Sequence, residues 1–318
     1  VKRASDATAD FRIFNIDDEE SSVIDVTLDG LTISGGSVSG DGGGILNQEN
    51  LTLTNSSISG NSADYGGGIA NYGTATLSNS TVSGNSATRN GGGIDNIGTA
   101  TLSNSTVSGN SADNDGGGIF NTFGTVALSN STVSGNSADD DGGGIFNNGI
   151  ATVTNSTVTG NSADDGGGIW NDDGGYDTAT LINSIVANNT ANQGNDLYNE
   201  VGSTPQGTIN ASFSLIEDNA DQINGTDNSN IKNQDPLLDP AGLQDNGGVT
   251  KTIALAANSP AIDAGDNNLI PADTSFDQRG DGFPRLFNKT VDIGAFESRL
   301  ALEVDTENDE NDGSVTDG

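Results

Sequence analysis

Six times between residues 42 and 169 the chain reads Gly-Gly-Gly-Ile, with the isoleucines at Ile45, Ile69, Ile94, Ile119, Ile145 and Ile169. The intervals are 24, 25, 25, 26 and 24 residues. A period near 25 that carries its own strand and turn chemistry points to a solenoid, because one unit cannot bury its apolar face alone and must stack on the next. In the unit from Gly91, Ile94 starts a strand and Asn96 a turn ending at Gly98. Ala100 and Leu102 alternate with threonines and share one face. Asn104 makes a second bend, Val107 sits in a third strand and Asn110 closes the coil. Thr, Val and Ile fill the strands while Asn, Asp, Ser and Gly fill the bends. The fold predicted is all-β: a right-handed parallel β-helix with about 24–26 residues and three short strands per rung.

Stacked rungs turn equivalent residues into columns about 4.8 Å apart. Leu53, Leu77, Leu102, Leu128, Val153 and Leu181 form one buried column, and Ile58, Val82, Val107, Val133, Val158 and Val186 another. Ala63, Ala87, Ala112, Ala138 and Ala163 fill a tighter corner. Asn55, Asn79, Asn104, Asn130, Asn155 and Asn183 occupy one bend, where a ladder of amide-to-amide bonds is preferred over glycosylation of the N-x-S/T sequences several of them begin. The array is expected over residues 11–231, with 1–10 an extension, 232–299 a C-terminal cap and 300–318 an acidic disordered tail.

Composition alone leans towards disorder, with 31% hydrophobic residues and 46 glycines. The periodicity overrules it, since a narrow coil needs only small aliphatic side chains. Ten Lys and Arg face 45 Asp and Glu, and only Arg89 of those cations lies between residues 13 and 231. Nucleic acid and anionic membranes are therefore not expected as partners, because both need basic residues. Divalent cations are the natural counter-charge. The absence of Cys and His removes disulfides, thiolate metal sites and imidazole catalysis. No apolar run reaches membrane-spanning length, so no membrane insertion is expected. With no Met even at position 1, the chain reads as a mature or trimmed product.

Acids gather just before the glycine triplets: Asp41, Asp64, Asp113, Asp115, Asp139, Asp140, Asp141, Asp164 and Asp165. Carboxylates stacked about 5 Å apart repel by roughly 1 kcal/mol per pair in water. Ca2+, a hard ion with flexible oxygen coordination, relieves that cost. Asp64, Asp113, Asp115, Asp139, Asp140, Asp141, Asp164 and Asp165 are the expected ligands; the alternative is a solvated rim serving solubility. The residue after each strand Ile or Leu reads Leu46, Ala70, Asp95, Phe120, Phe146, Trp170 and Tyr198. Alternation turns this position outward, so the four aromatics form either a platform for a surface glycan or protein partner, or cross-rung packing beneath a loop.

Catalysis finds little support. Polysaccharide lyases need a Lys or Arg base, and the array offers only Arg89, in a loop. For a hydrolase, Asp172, Asp173 and Asp177 in an enlarged turn come nearest to the required carboxylates. Arg279-Gly280-Asp281 matches an integrin-type tripeptide, a match that chance supplies often.

From Asp235 the texture changes to Asp235-Pro236-Leu237-Leu238, then LQDNGGVTKTIAL, NSPAIDAGD, DQRGDGFPR and VDIGAFE. This order of phrases resembles the choice-of-anchor Q domain of bacterial surface proteins. The upstream rungs resemble the β-helix repeats that accompany it, and are similar to the Gly-Gly-x-Ile repeats of polymorphic outer-membrane proteins. The resemblance implies a secreted or cell-surface protein with no established catalytic residues. Many relatives carry a Cys pair near the positions of Ile270 and Val291, which this chain lacks. As a cap, Leu237, Leu238, Ile253, Leu255, Ile262, Ile293 and Phe296 are expected over the last rung, with Arg279 and Arg285 paired to Asp277, Asp292 or Glu297. An uncapped N-terminal end permits end-to-end stacking into a homo-polymer. The function expected is an extracellular structural or adhesive β-helix, with a polysaccharide-binding or polysaccharide-cleaving one as the alternative.

Overall fold

The computed structural model describes residues 1–2, 10–19, 22–174, 177–202 and 206–299. The expected tail at 300–318 lies outside them, as does most of the N-terminal extension. The array is a parallel β-solenoid, and its all-parallel rung order is consistent with right-handed winding. Ile45, Ile69, Ile94, Ile119, Ile145, Ile169 and Leu197 pair in register, as do Leu53, Leu77, Leu102, Leu128, Val153 and Leu181. These columns and the Ile58-to-Val186 column line one continuous core of almost fully buried aliphatic residues. The first rungs form at Phe14–Ile16, Asp25–Asp29 and Thr32–Ser34, each the terminal strand of its sheet, with Lys2 bridged to Ser34 beyond the third.

The rungs that begin at Ile45, Ile69 and Ile94 each have four strands where three were expected. In one unit they are Ile94–Asn96, Thr99–Ser103, Thr106–Ser108 and the two-residue Ser111–Ala112. The extra strand follows the left-handed bend at Gly109 (φ +61°), after which the Ser111 N–H donates to Asn85 O one rung below. In the rungs Ile119–Ser129 and Ile145–Thr154 the first two strands run together through a register shift near Phe123.

Each glycine of a triplet has its own steric reason. The first is left-handed (φ +66° at Gly116), and a Cβ there would lie 2.6 Å from the Cβ of Phe120. At Gly117 a Cβ would meet Ser137 O at 2.2 Å, and at Gly118 it would meet Gly144 O at 2.5 Å. The triplet is therefore the place where the coil crosses its own next strand and the neighbouring rung with no room for a side chain.

The asparagine ladder expected at the Asn55 column forms elsewhere. Asn55, Asn79, Asn104, Asn130, Asn155 and Asn183 all hold φ between 46° and 51°, the left-handed conformation that Asn tolerates better than most residues. Holding the bend is their role, and amide-to-amide contact there is confined to Asn130 Nδ2 donating to Asn104 Oδ1 at 3.3 Å. The running amide ladders instead follow Asn47, Asn71, Asn96, Asn121, Asn147, Asn171 and Asn199, and Asn61, Asn85, Asn110, Asn136, Asn161 and Asn189. A serine column, Ser80, Ser105, Ser131 and Ser156 among them, accepts a backbone N–H from the preceding rung at each step. Buried polar groups of this kind are satisfied by repetition.

The C-terminal segment does not sit over the last rung as a cap. It runs as a strap along the outer face of the nine-stranded sheet that includes Thr106–Ser108, Thr132–Ser134 and Thr157–Thr159. Thr106 Oγ1 donates to Lys251 O, Thr132 Oγ1 to Gln278 Oε1, and Asn183 Nδ2 to Asp266 O, while Ala295 N donates to Thr157 Oγ1. Farther along, Ile185, Ala187 and Leu215 turn outward and make a second core with Leu255, Ala261 and Ile293, with Leu238, Ile262 and Phe296 packed against it. The physical reason is that the outer face of these strands changes from threonine hydroxyls to aliphatic side chains, and both need cover. The end of the main core is closed instead by the short turn Ala220–Gln222 and by Ile223.

Inside the strap, Arg279 pairs with Asp277 at 2.5 Å, between the rings of Phe283 and Phe296. Arg285 reaches Glu297 at 3.3 Å and donates to the carbonyls of Gly294 and Asp292. The expected pairings hold. Arg279 is 7% exposed, so the Arg-Gly-Asp tripeptide does not present its arginine.

Candidate functional site

The face carrying the glycine triplets holds both groups of candidate residues. Backbone bonds between rungs place Asp41, Tyr65, Asn90, Asp115, Asp141, Asp165 and Gln193 in one column directly before the glycines. Asp64, Arg89, Asn114, Asp140, Asp164 and Asn192 make the next column out, and Asp113 and Asp139 lie beyond it. The eight expected metal ligands thus divide among three columns, because loop length varies between rungs. Asp115, Asp141 and Asp165 are the longest uninterrupted acidic run among them.

Burial pushes the Asp141 carboxyl up to about 7, and the charges of Asp115 and Asp165 push the same way. Burial also raises Asp115, opposed by the bond its carboxylate accepts from Asp141 N at 3.3 Å. Several neighbours have partners within the chain. Thr88 Oγ1 donates to Asp64, Asn192 Nδ2 to Asp164, and Gln193 Nε2 to both oxygens of Asp165. Among the described residues, three carboxylates come within 4.8 Å of one another at Asp17, Asp18 and Glu49 and at Asp172, Asp173 and Glu200, both away from this edge. Sequence reading found Asp172 and Asp173 but missed Glu200. Its signal was the register Asn171 to Asn199, which sets Asp172 beside Glu200 one rung on.

The aromatic column faces away from the aliphatic core, as alternation required, but it is not an open platform. Phe146 and Trp170 are 8% and 5% exposed, with Phe120 and Tyr198 half-buried. Phe120 stacks on Phe146 with centroids 4.6 Å apart, and Phe146 on Trp170 at 4.3 Å and 13° between planes. The first glycine of each triplet crosses directly over these side chains: a Cβ at Gly166 would sit 2.6 Å from that of Trp170. Alternation reports which face a residue takes, not what passes across that face. Tyr198 continues the column beside Trp170.

Arg89, the one cation between residues 13 and 231, donates from Nη1 to the Tyr65 hydroxyl at 2.8 Å and lies over the Tyr65 ring. The same column contains one residue sequence reading passed over. Asp95 takes the position between Ala70 and Phe120, where it is buried with Oδ1 unpartnered. A charged residue in an apolar or aromatic column was the available signal.

Among the described residues, no helix is long and apolar enough to cross a membrane. No curated protein matches the chain. A family model does match two stretches, residues 104–122 and 130–148, which lie on successive rungs paired Thr106 to Thr132 and Ile119 to Ile145. The chain thus carries, within its β-solenoid, repeats similar to the Chlamydia polymorphic membrane protein repeat.

Proposed function

We propose that this chain is a secreted or cell-surface β-helix with a structural and adhesive role, not a catalyst. The observation that carries the reading is the coincidence of the matched repeats with two in-register rungs of an otherwise uniform ladder. Such an array is a rigid rod that spaces and displays side chains. The strap fits the same reading as the counterpart of a choice-of-anchor Q segment, a domain that in its family follows a solenoid. Antibodies against the folded chain should label intact, unpermeabilised source cells or their culture medium; labelling that appears only after permeabilisation overturns the reading.

Two finer features belong to this proposal. Ca2+ lies along the acidic edge, bridging carboxylates between neighbouring rungs at Asp115, Asp141 and Asp165; three carboxylates do not converge there on one ion. The bound ion would neutralise the column. Thermal melts with chelator and with added Ca2+ should then differ, and identical melts remove the metal. End-to-end stacking uses the first rung, where Ile13, Phe14, Val26, Leu28 and Leu31 remain only partly buried. Asp25 and Asp29 on that edge strand work against pairing, as charged edges do. Filaments in electron micrographs that dissolve at low ionic strength fit this balance, whereas monodisperse particles under all salts do not.

A further inference from the structure

The stack of rings ends at Phe120. In the two preceding rungs the same position holds Asp95 and then Ala70. Where the next ring would lie there is a cavity of about 360 Å3, lined by Asp41, Tyr65, Tyr72, Asp95, Phe120 and Thr122. Ile97 and Tyr72 are each 41% exposed, so the cavity can be reached from solvent. Asp95 is 4% exposed, and its Oδ1 and the Oγ1 of Thr122 are both buried without a hydrogen-bond partner. Ala70 is fully buried at the equivalent place, so the fold accepts a small apolar side chain there. A buried carboxylate oxygen left unpaired costs stability, and nothing in the packing requires it.

The lining decides what would compensate. Tyr72 donates its hydroxyl to Asp41 Oδ2 at 2.8 Å, which holds a second carboxylate at the cavity. Three aromatic rings supply faces that attract a cation. Arg89 is occupied by Tyr65 and is not among the lining residues. An anion is repelled by Asp41 and Asp95, and a neutral apolar guest leaves both carboxylates uncompensated. A hard divalent metal wants six or more oxygens and avoids an aromatic lining. An ammonium group carries three N–H donors, and Asp95, Asp41 and Thr122 offer acceptors, while its aliphatic stem suits the rings.

We propose that this cavity binds a primary alkylammonium group, the chemistry of a lysine side chain or of an aliphatic diamine. The inference does not depend on where the protein resides, so it can fail while surface labelling succeeds, and the reverse. It rests on the break in the column: one rung replaces a ring with an acid and leaves a ring-sized space beside it.

The test is calorimetric titration of the full chain with cadaverine and with N-acetyl-lysine methylamide. The norleucine analogue of the second probe serves as the uncharged control. At pH 8 the Asp95 carboxyl, which burial raises to about 7, is ionised. Salt at about 0.15 M screens amine attraction to the exposed acids. Both amines should bind saturably with one site per chain, and the norleucine analogue should not. The tighter of the two amines identifies the source, and equal affinities mean that the ammonium alone is read. Asp95→Ala copies Ala70 of the preceding rung, so it should fold, melt at a higher temperature and bind the amines about tenfold more weakly or worse. Tyr72→Leu removes one ring at an exposed position and should weaken binding severalfold. The proposal is overturned if neither amine binds, if the norleucine analogue binds equally, or if Asp95→Ala keeps full affinity.

Discussion

Between Ile45 and Asn199 each rung repeats the bonds of its neighbour, whereas between residues 233 and 299 hardly a contact recurs. The array satisfies the buried polar groups that recur in every rung with uncharged amides and hydroxyls stacked on themselves. The strap satisfies its own with ions: Arg279 on Asp277, and Arg285 on Glu297 and two carbonyls. Of the ten basic residues, Arg89 alone belongs to the array's interior rungs, while Lys251, Arg279, Arg285, Lys289 and Arg299 lie in or beside the strap. A repeated buried charge would stack like on like every 4.8 Å or so, which amides avoid because each is both donor and acceptor. A segment used once has no such constraint. The buried acids of the array, Glu49, Asp95, Asp177 and Asp196, accordingly stand singly at breaks in the repeat and not in columns, whereas the strap holds paired ions.

The sharpest way to break this comparison is at Arg285, fully buried and bound on three sides. Arg285→Met leaves Glu297 buried without its partner, at a cost of about 3–5 kcal/mol. The strap should loosen and become sensitive to protease. Trp170 is the sole tryptophan and sits in the array, so its fluorescence reports the solenoid separately. An unchanged tryptophan midpoint alongside rapid cleavage of the strap is the expected result. A midpoint that falls together with cleavage would show that array and strap unfold as one unit.

A smaller effect, confined to the array, comes from the glycine triplets. Gly118→Ala forces a Cβ to 2.5 Å from Gly144 O, and overpacking of this kind costs about 1–3 kcal/mol. Gly109→Ala, at φ +61° with nothing within 4 Å, meets only the left-handed penalty of about 1 kcal/mol. Urea denaturation followed at Trp170 should rank the two in that order. The reverse ranking would mean that the glycines serve backbone conformation and not the close passage of rungs.

The aliphatic columns were legible because a period of 24 to 26 residues fixes register, and register fixes which side chains stack. The strap was not. Thr132 meets Gln278 across 146 positions, and a contact made once leaves no periodic trace. Asn104 and Asn110 look alike in the repeat, yet one holds a left-handed bend and the other an amide ladder; spacing cannot separate φ from hydrogen bonding. The columns of the acids were hidden for a related reason. Asp113 and Asp115 precede the same glycines, but inter-rung bonding puts them in different columns, and only Asp115 aligns with Asp141. Asp95 was visible throughout as an acid among Ala70, Phe120 and Phe146, and its meaning depended on the cavity beside it.

The smallest expected effect concerns pH. Asp141, Asp196 and Glu200 in or beside the array are each raised to about 7, with burial the first cause in every case. A carboxyl raised in the folded state binds its proton more tightly there than in the unfolded chain, whose value is near 4. Its contribution is fully present below that unfolded value and is lost as pH rises through about 7. The excess of 45 acids over 10 bases adds self-repulsion of the same sign. Melting temperature should therefore rise as pH falls from 8 towards 5. Asp141→Asn removes one raised group and the repulsion it shares with Asp115 and Asp165, so the variant should melt higher than wild type at pH 8 and show a shallower pH slope. Glu297 in the strap is also raised to about 7 despite its arginine, because burial outweighs the pairing. The strap should accordingly resist protease better at pH 6 than at pH 8, and by more than the array's tryptophan midpoint shifts. If the acid-stabilised fraction instead resides wholly in the array, the ionic strap and the amide ladder differ less than their bonding implies.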